Sequence, residues 1–187
     1  MQYSKIEKIA KGWSSFIWRV HDNTKKQFVL KGVREKSNRK NLAEREGKML
    51  ALANTIGIGP KIKEVDFEEN FVVMEYIKGP KLLDFVMGEE FDSISKEEAY
   101  DLVKELVRQC LALDEIGLRH TQLQVGKNIL VTKTRIGYVP VIIDFEKASI
   151  DPAKRKEKNF GQITSFLFLN PNGAVAKRIR EKLNLKL

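Results

Sequence analysis

The sequence is poor in the residues that build disulfides and transition-metal clusters, with one cysteine, Cys110, and two histidines in 187 residues. One cysteine closes no internal disulfide, and one Cys with two His cannot complete a four-ligand zinc site. Cys110 shares a helical face with Val103 and Leu106 in Leu102-Val103-Lys104-Glu105-Leu106-Val107-Arg108-Gln109-Cys110-Leu111, which predicts a buried structural thiol. No apolar run approaches the roughly 18 residues of a membrane span. The opening Met1-Gln2-Tyr3-Ser4-Lys5-Ile6-Glu7 holds no apolar signal region. A cytoplasmic protein is expected. Internal repeats and low-complexity linkers are missing too, so the length suits one domain or two small lobes.

Hydrophobic residues make up 42% of the chain and charged residues 32%, a globular composition. The net charge of +9 comes from 34 Lys and Arg against 25 Asp and Glu. It favours phosphate-rich partners, although a solvated Lys/Glu surface explains the same numbers. Lys-rich clusters over 34–40 and 154–158 keep the first reading open.

Residues 5–33 alternate as strands, with Phe16-Ile17-Trp18-Arg19-Val20, a turn at Asp22-Asn23-Thr24, and Phe28-Val29-Leu30-Lys31. Leu42, Glu46, Met49, Leu50 and Ala53 recur at helical spacing, predicting a helix over 41–56. Strands follow at 62–67 and 71–76 about the turn Glu68-Glu69-Asn70, and Lys78-Gly79-Pro80 ends the sheet. From there the pattern turns helical. A short helix is predicted over 82–87, and a long one from the cap Ser95 with Glu98 to Ile116 and Gly117. Ala99, Leu102, Val103, Leu106, Val107, Cys110 and Leu113 form its apolar face. A hairpin joins 129–132 to 139–143, and the tail offers helices over 160–169 and 173–183, the last one basic.

Five features, in order, fit a phosphoryl-transfer site. Ile9-Ala10-Lys11-Gly12-Trp13-Ser14-Ser15-Phe16 sets Gly12 and Ser14 in a turn whose backbone N–H groups can lie over phosphates, and an ordinary hairpin turn explains it equally. Lys31 is a strand lysine with apolar neighbours, which either snorkels or reaches a phosphate. Val72-Val73-Met74-Glu75-Tyr76-Ile77-Lys78-Gly79 runs from a strand into an extended segment. In the nucleotide reading Met74 lies behind adenine and the Glu75 and Ile77 backbones bond its edge, whereas a strand ending in a glycine turn explains the segment as well. Arg119-His120-Thr121-Gln122-Leu123-Gln124-Val125-Gly126-Lys127-Asn128-Ile129-Leu130 and Val141-Ile142-Ile143-Asp144-Phe145-Glu146 complete the set. There Asn128 and Asp144 offer two oxygen ligands to one Mg²⁺, and His120 is either a core histidine or an organiser of the loop. Asp144 is the more specific signal, because an acid after Val139-Pro140-Val141-Ile142-Ile143 is poorly placed for burial unless a cation pairs with it.

With these features in this order over residues 5–170, the chain resembles the protein-kinase-like superfamily. It is most similar to small atypical members: the RIO kinases, the kinase subunit of the KEOPS tRNA-modification complex and the lipopolysaccharide-core kinases. The resemblance implies an α+β, two-lobed fold with ATP in the cleft. An N-terminal lobe over 1–77 would hold an antiparallel β-sheet and one helix, and a reduced, mainly helical lobe would cover 78–187. It implies Lys31 on the α and β phosphates, oriented by Glu46, with Asn128 and Asp144 on Mg²⁺. Gly12 and His120 would keep their family roles at the phosphates and in the loop. Glu46 is preferred to Glu44 because Met49 and Leu50 put it beside the core-facing side.

Departures qualify the resemblance. Gln122 stands where the family has its catalytic Asp, and it precedes Asn128 by six residues where the family spacing is five. Asp144-Phe145-Glu146 replaces Asp-Phe-Gly, no Ala-Pro-Glu segment follows, and 43 residues remain after Asp144. Glu146 and Asp151 are alternative bases. Two functions stay open. One is an atypical serine/threonine-type kinase moving the γ-phosphate of ATP, with Mg²⁺, to a protein or small-molecule acceptor. The other is a pseudokinase that binds nucleotide as a scaffold for a protein or an RNA-containing complex.

Overall fold

The structure, a computed structural model, describes residues 3–11, 15–34, 41–151 and 158–186. Two compact units divide the chain. The first is Met1–Tyr76 with Asp144–Ala148, and the second is Ile77–Ile143 with Ser149–Leu187. The composition shift near 77 thus falls beside a chain crossing, but no sequence signal announced that 144–148 would rejoin the first unit.

In the first unit, β1 (Ser4–Lys11), β2 (Ser15–His21), β3 (Gln27–Val33), β4 (Ile62–Asp66) and β5 (Phe71–Glu75) form one antiparallel sheet in the order β1-β2-β3-β5-β4. The alternation of the strands explains the pairing. Val20, Phe28 and Val73 fall on one side and make a buried cluster against Tyr3, Trp18, Leu30 and Phe71. On the other side, β3 aligns Val29 with Met74 and Lys31 with Val72. Helix α1 (Leu42–Asn54) buries Leu42, Ala43, Glu46, Gly47, Leu50 and Ala53. Gly47 is required by space, since a Cβ there would stand 3.1 Å from a Val65 methyl of β4.

The second unit is mainly helical, with α2 (Leu82–Met87), α3 (Glu89–Ser93), α4 (Lys96–Glu115), α5 (Lys158–Thr164) and α6 (Ala174–Leu183). It also holds the short pair β6 (Leu118–Arg119) and β9 (Ser149–Ile150), and the hairpin β7 (Ile129–Thr134) with β8 (Gly137–Ile142). The Ser95 hydroxyl and the Glu98 carboxylate close a reciprocal capping box at the start of α4. The buried face of α4 includes Gln109, which donates to the Pro140 carbonyl at 2.9 Å, whereas Val107 is only half-buried. Cys110 is fully buried.

Two elements depart from the sequence pattern. The helix expected over 160–169 is α5 followed by a π turn over Ser165–Leu169, closed by Asn170 N–H donating to the Ser165 carbonyl. The Arg180 guanidinium, on α6, donates to the Phe168 carbonyl there at 2.6 Å. Helix α3 had no periodic signal in five residues, and it exists because Phe91 packs edge-on against Phe85 at 5.9 Å.

Candidate active site

In the first unit, side chains far apart in sequence converge on Lys31. Its Nζ donates to Glu46 Oε2 and to Asp144 Oδ1, each at 2.7 Å, and Glu146 Oε2 stands 3.5 Å away. Strand β3 supplies the lysine, α1 supplies Glu46, and the segment after β8 supplies the other two carboxylates. Lys31 and Glu46 are 5% and 1% exposed. Such burial of unlike charges is tolerable only because each is paired and hydrogen-bonded. Glu44, the rival considered in the sequence, is instead exposed and bound to Lys48 at 2.6 Å.

Electrostatics follow the geometry. Burial alone would push the Lys31 ammonium toward neutrality, but the Glu46 and Asp144 carboxylates override it and raise its pKa above the ordinary lysine value. Burial raises Glu46 above the ordinary carboxylate range, and the nearby Asp144 adds to that, against the opposing pull of Lys31 and the Phe145 N–H. Lys31 is therefore a fixed positive charge on the inner face of the sheet.

Asp144 takes a left-handed backbone conformation, φ +65°, which asparagine and aspartate tolerate better than other side chains. Phe145, fully buried, locks the turn, and its N–H donates to Glu46 Oε1 at 3.1 Å. One carboxylate of α1 thereby holds the lysine with one oxygen and the Asp144 turn with the other. The carboxylate oxygens of Glu46, Asp144 and Glu146 come within 4.8 Å of one another. Hard oxygen donors suit Mg²⁺, which prefers one or two carboxylates with the remaining positions left to water and phosphate, and Glu46 already gives its two oxygens to Lys31 and the Phe145 N–H.

The second unit carries the loop that follows β6. His120 is fully buried, with Nε2 2.8 Å from the Ile143 carbonyl, and its backbone N–H donates to Asn159 Oδ1 at 2.8 Å. Asn159 Nδ2 donates to the Leu118 carbonyl and to Asp114, so one buried side chain ties α4, β6 and the loop together. Leu123 anchors the loop in the core, while Gln122 and Asn128 are half-buried. Asn128 Nδ2 lies 3.5 Å from the Gln122 carbonyl, at the outer limit of a hydrogen bond, and the Asn128 carbonyl accepts from Ile143 N–H at 2.9 Å. Gly126 adopts φ +63°, and a Cβ there would collide with the Phe166 ring.

Met74 is buried in β5, Glu75 is exposed with its N–H given to the Lys61 carbonyl at 2.8 Å, and Ile77 begins the second unit. Gly12 and Ser14 lie outside the described residues. In the sequence Glu146 stands out only as an alternative base, and Asn159 and Asp114 do not stand out at all. For Glu146, its signal was an acid two residues past another acid in an apolar context. No local signal marked Asn159, whose importance comes from contacts some 40 positions away.

A lysine held by a helix glutamate under an antiparallel sheet, beside an Asp at the end of a β-hairpin, is the arrangement that the sequence resemblance implies for Lys31, Glu46 and Asp144. In sequence and in fold the chain is similar to atypical kinases of the protein-kinase-like superfamily. An uncharacterized protein of Methanocaldococcus jannaschii is 34% identical over 107 residues, which cover 55% of this chain and 84% of that one. The KEOPS complex subunit Bud32 of Pyrococcus abyssi is 32% identical over 133 residues, 71% of this chain and 56% of Bud32. The solved Rio2 kinase of Chaetomium thermophilum, in an ADP/Mg²⁺-phosphoaspartate complex, shares the fold, with a TM-score of 0.65 at 20% identity over 98% of this chain and 62% of that one. The chain thus spans under two thirds of Bud32 and of Rio2. No family model matches it. The α+β fold expected from the sequence is observed, and no helix among the described residues is long and apolar enough to cross a membrane.

Proposed function

We propose that the chain is an ATP-dependent phosphotransferase of the atypical serine/threonine kinase type, working with Mg²⁺ in the cytoplasm on a protein or small-molecule hydroxyl. The observation that carries this reading is the buried Lys31 ammonium held by Glu46 and Asp144 at 2.7 Å. Such an ammonium, kept charged and aimed, is what the α and β phosphates of a nucleotide need, and Glu46 keeps its direction. In this reading Met74 backs the adenine and the Glu75 carbonyl and Ile77 N–H meet its edge. Gly12 and Ser14 cover the phosphates. Asp144 and Asn128 are metal ligands, and the metal, when bound, neutralises charge on the transferring phosphoryl group. His120 positions the loop through the Ile143 carbonyl.

Gln122 favours a second reading. A glutamine side chain orients a hydroxyl by hydrogen bonding but takes up no proton. A general base contributes about 10²–10⁴-fold, whereas positioning and metal supply most of phosphoryl transfer. The second reading is a pseudokinase that binds nucleotide without turning it over.

The deciding measurement uses purified protein with radiolabelled ATP and Mg²⁺, wild type beside Asp144→Ala. Labelled product or phosphate release that disappears in the variant supports the transferase. Nucleotide binding without turnover leaves the pseudokinase. If Mg-ATP produces no thermal shift, neither reading survives.

A further inference from the structure

The side of the five-stranded sheet opposite Lys31 carries a second charged surface that the phosphate centre does not use. Pairing of β1 with β2 sets Lys5 against Val20 and Lys8 against Trp18. Phe16, Trp18 and Val20 alternate along β2 on the side away from Ile17, the cross-strand partner of Lys31. Two lysines three positions apart share this side because the register slips by one residue between Lys5 and Glu7. Lys5 Nζ stands 4.8 Å above the centre of the Trp18 ring and Lys8 Nζ 4.1 Å above that of Phe16. Arg34 lies over the same Phe16 ring at 5.4 Å, and Lys26 over Phe28 at 5.7 Å.

Phe16 and Trp18 remain partly exposed whereas Phe28 is buried, so the first two are the rings that a base can reach. Among the described residues, moreover, the ammonium groups of Lys5, Lys8 and Lys26 lie over rings and hold no carboxylate. We propose that this face binds single-stranded RNA, with its phosphates on Lys5, Lys8, Lys26 and Arg34 and unpaired bases stacked on Trp18 and Phe16. The exchange is favourable on general grounds, because an exposed cation–π contact is worth less than stacking a base on the same ring, and the displaced ammonium then meets a phosphate. RNA is the choice because its loops and ends present unstacked bases to aromatic faces. An acidic peptide would use the lysines and leave the rings idle. A bilayer would call for protruding apolar side chains, whereas Phe16 and Trp18 are half-buried in the sheet.

The proposal is independent of whether the Lys31 centre turns over nucleotide, and its test leaves that centre intact. A fluorescent 15-nucleotide RNA is titrated with the full chain over a range of salt, for the wild type and for Lys5→Glu/Lys8→Glu, with Mg-ATP thermal shift as the control for an intact first unit. The wild type should bind, and the variant should lose affinity on the order of tenfold, with a salt slope shallower by about 1.4 for two lost phosphate contacts. Stacking is read separately in a Trp13→Phe background, where Trp18 is the only tryptophan of the two in the sequence left to report, and RNA should quench it. Binding that ignores the Lys5/Lys8 reversal would overturn the proposal, as would duplex RNA binding as tightly as single strands or a Trp18 signal that stays unchanged. A single-stranded DNA bound more tightly than RNA, or anionic vesicles bound in place of RNA with the same lysine dependence, would also overturn it. With no binding at low salt, the lysines only guard the exposed edge of β1.

Discussion

Glu46 joins two elements by its two oxygens, with Oε2 2.7 Å from Lys31 Nζ and Oε1 3.1 Å from the Phe145 N–H. Its removal therefore acts on the lysine and on the Asp144 turn together. Glu46→Ala should destabilise the first unit toward the lower end of the ~3–5 kcal/mol typical of a broken buried pair, because Asp144 and Glu146 remain beside Lys31. Glu44→Ala, which removes only a solvent-screened contact to Lys48, should leave stability almost unchanged. Urea unfolding of the two variants compares them directly, and equal losses would contradict the pairing.

Gln122→Asp restores a carboxylate that can accept a proton. If this loop position faces the acceptor hydroxyl, phosphate transfer should rise by up to about 10²–10⁴-fold, with nucleotide affinity little changed. Single-turnover assays separate the two quantities. An unchanged rate would mean that the extra residue between positions 122 and 128 has moved this side chain off the reaction.

Asn159→Ala strips the His120 N–H and the Leu118 carbonyl of a buried partner. Each group left bare costs about 1–3 kcal/mol. The second unit should lose amide-exchange protection around β6 and the loop after it, while exchange in the sheet of the first unit stays unchanged.

Gly79→Ala would drive a Cβ into the Val131 carbonyl oxygen, backbone that cannot swing away. A cost of about 1–3 kcal/mol is expected, as for overpacking elsewhere. Gly57→Ala meets no neighbouring atom and pays only for its positive φ. A smaller thermal shift for Gly57→Ala than for Gly79→Ala is the measurable difference.

Burial, with the Asp114 charge behind it, pushes the Cys110 thiol well above its ordinary pKa of 9.0. In the folded chain the thiol should ignore a disulfide reagent at pH 8 and react fully once urea unfolds α4. The sign of the pH effect follows. Above about pH 9 the unfolded thiol releases its proton while the folded one keeps it, so the unfolded state binds fewer protons and this contribution to stability falls as pH rises. Rapid labelling of native protein at pH 8 would contradict the burial.

Apart from α3 and the π turn over Ser165–Leu169, the sequence alone determined the elements and their kinds. Alternation along 15–33 and 62–76 makes strands because side chains on a pleated backbone face opposite sides by turns, and the apolar face of 96–115 with its Ser95 and Glu98 cap makes a helix, all within a few residues' reach. It also flagged Lys31, Glu46 and Asp144, since a charge inside an apolar run is conspicuous. Tertiary structure alone decided that Asp144 and Glu146 reach a lysine 113 and 115 positions earlier, that Gln109 rather than Val107 joins the buried face of α4, and that a bulge between Lys5 and Glu7 brings Lys5 and Lys8 onto the same, aromatic side of the sheet. The physical reason is common to all three. Local pattern reports which side of an element a residue occupies, whereas the pairing of buried charges, the satisfaction of buried amides and a slip of strand register depend on partners that only the packed chain brings near.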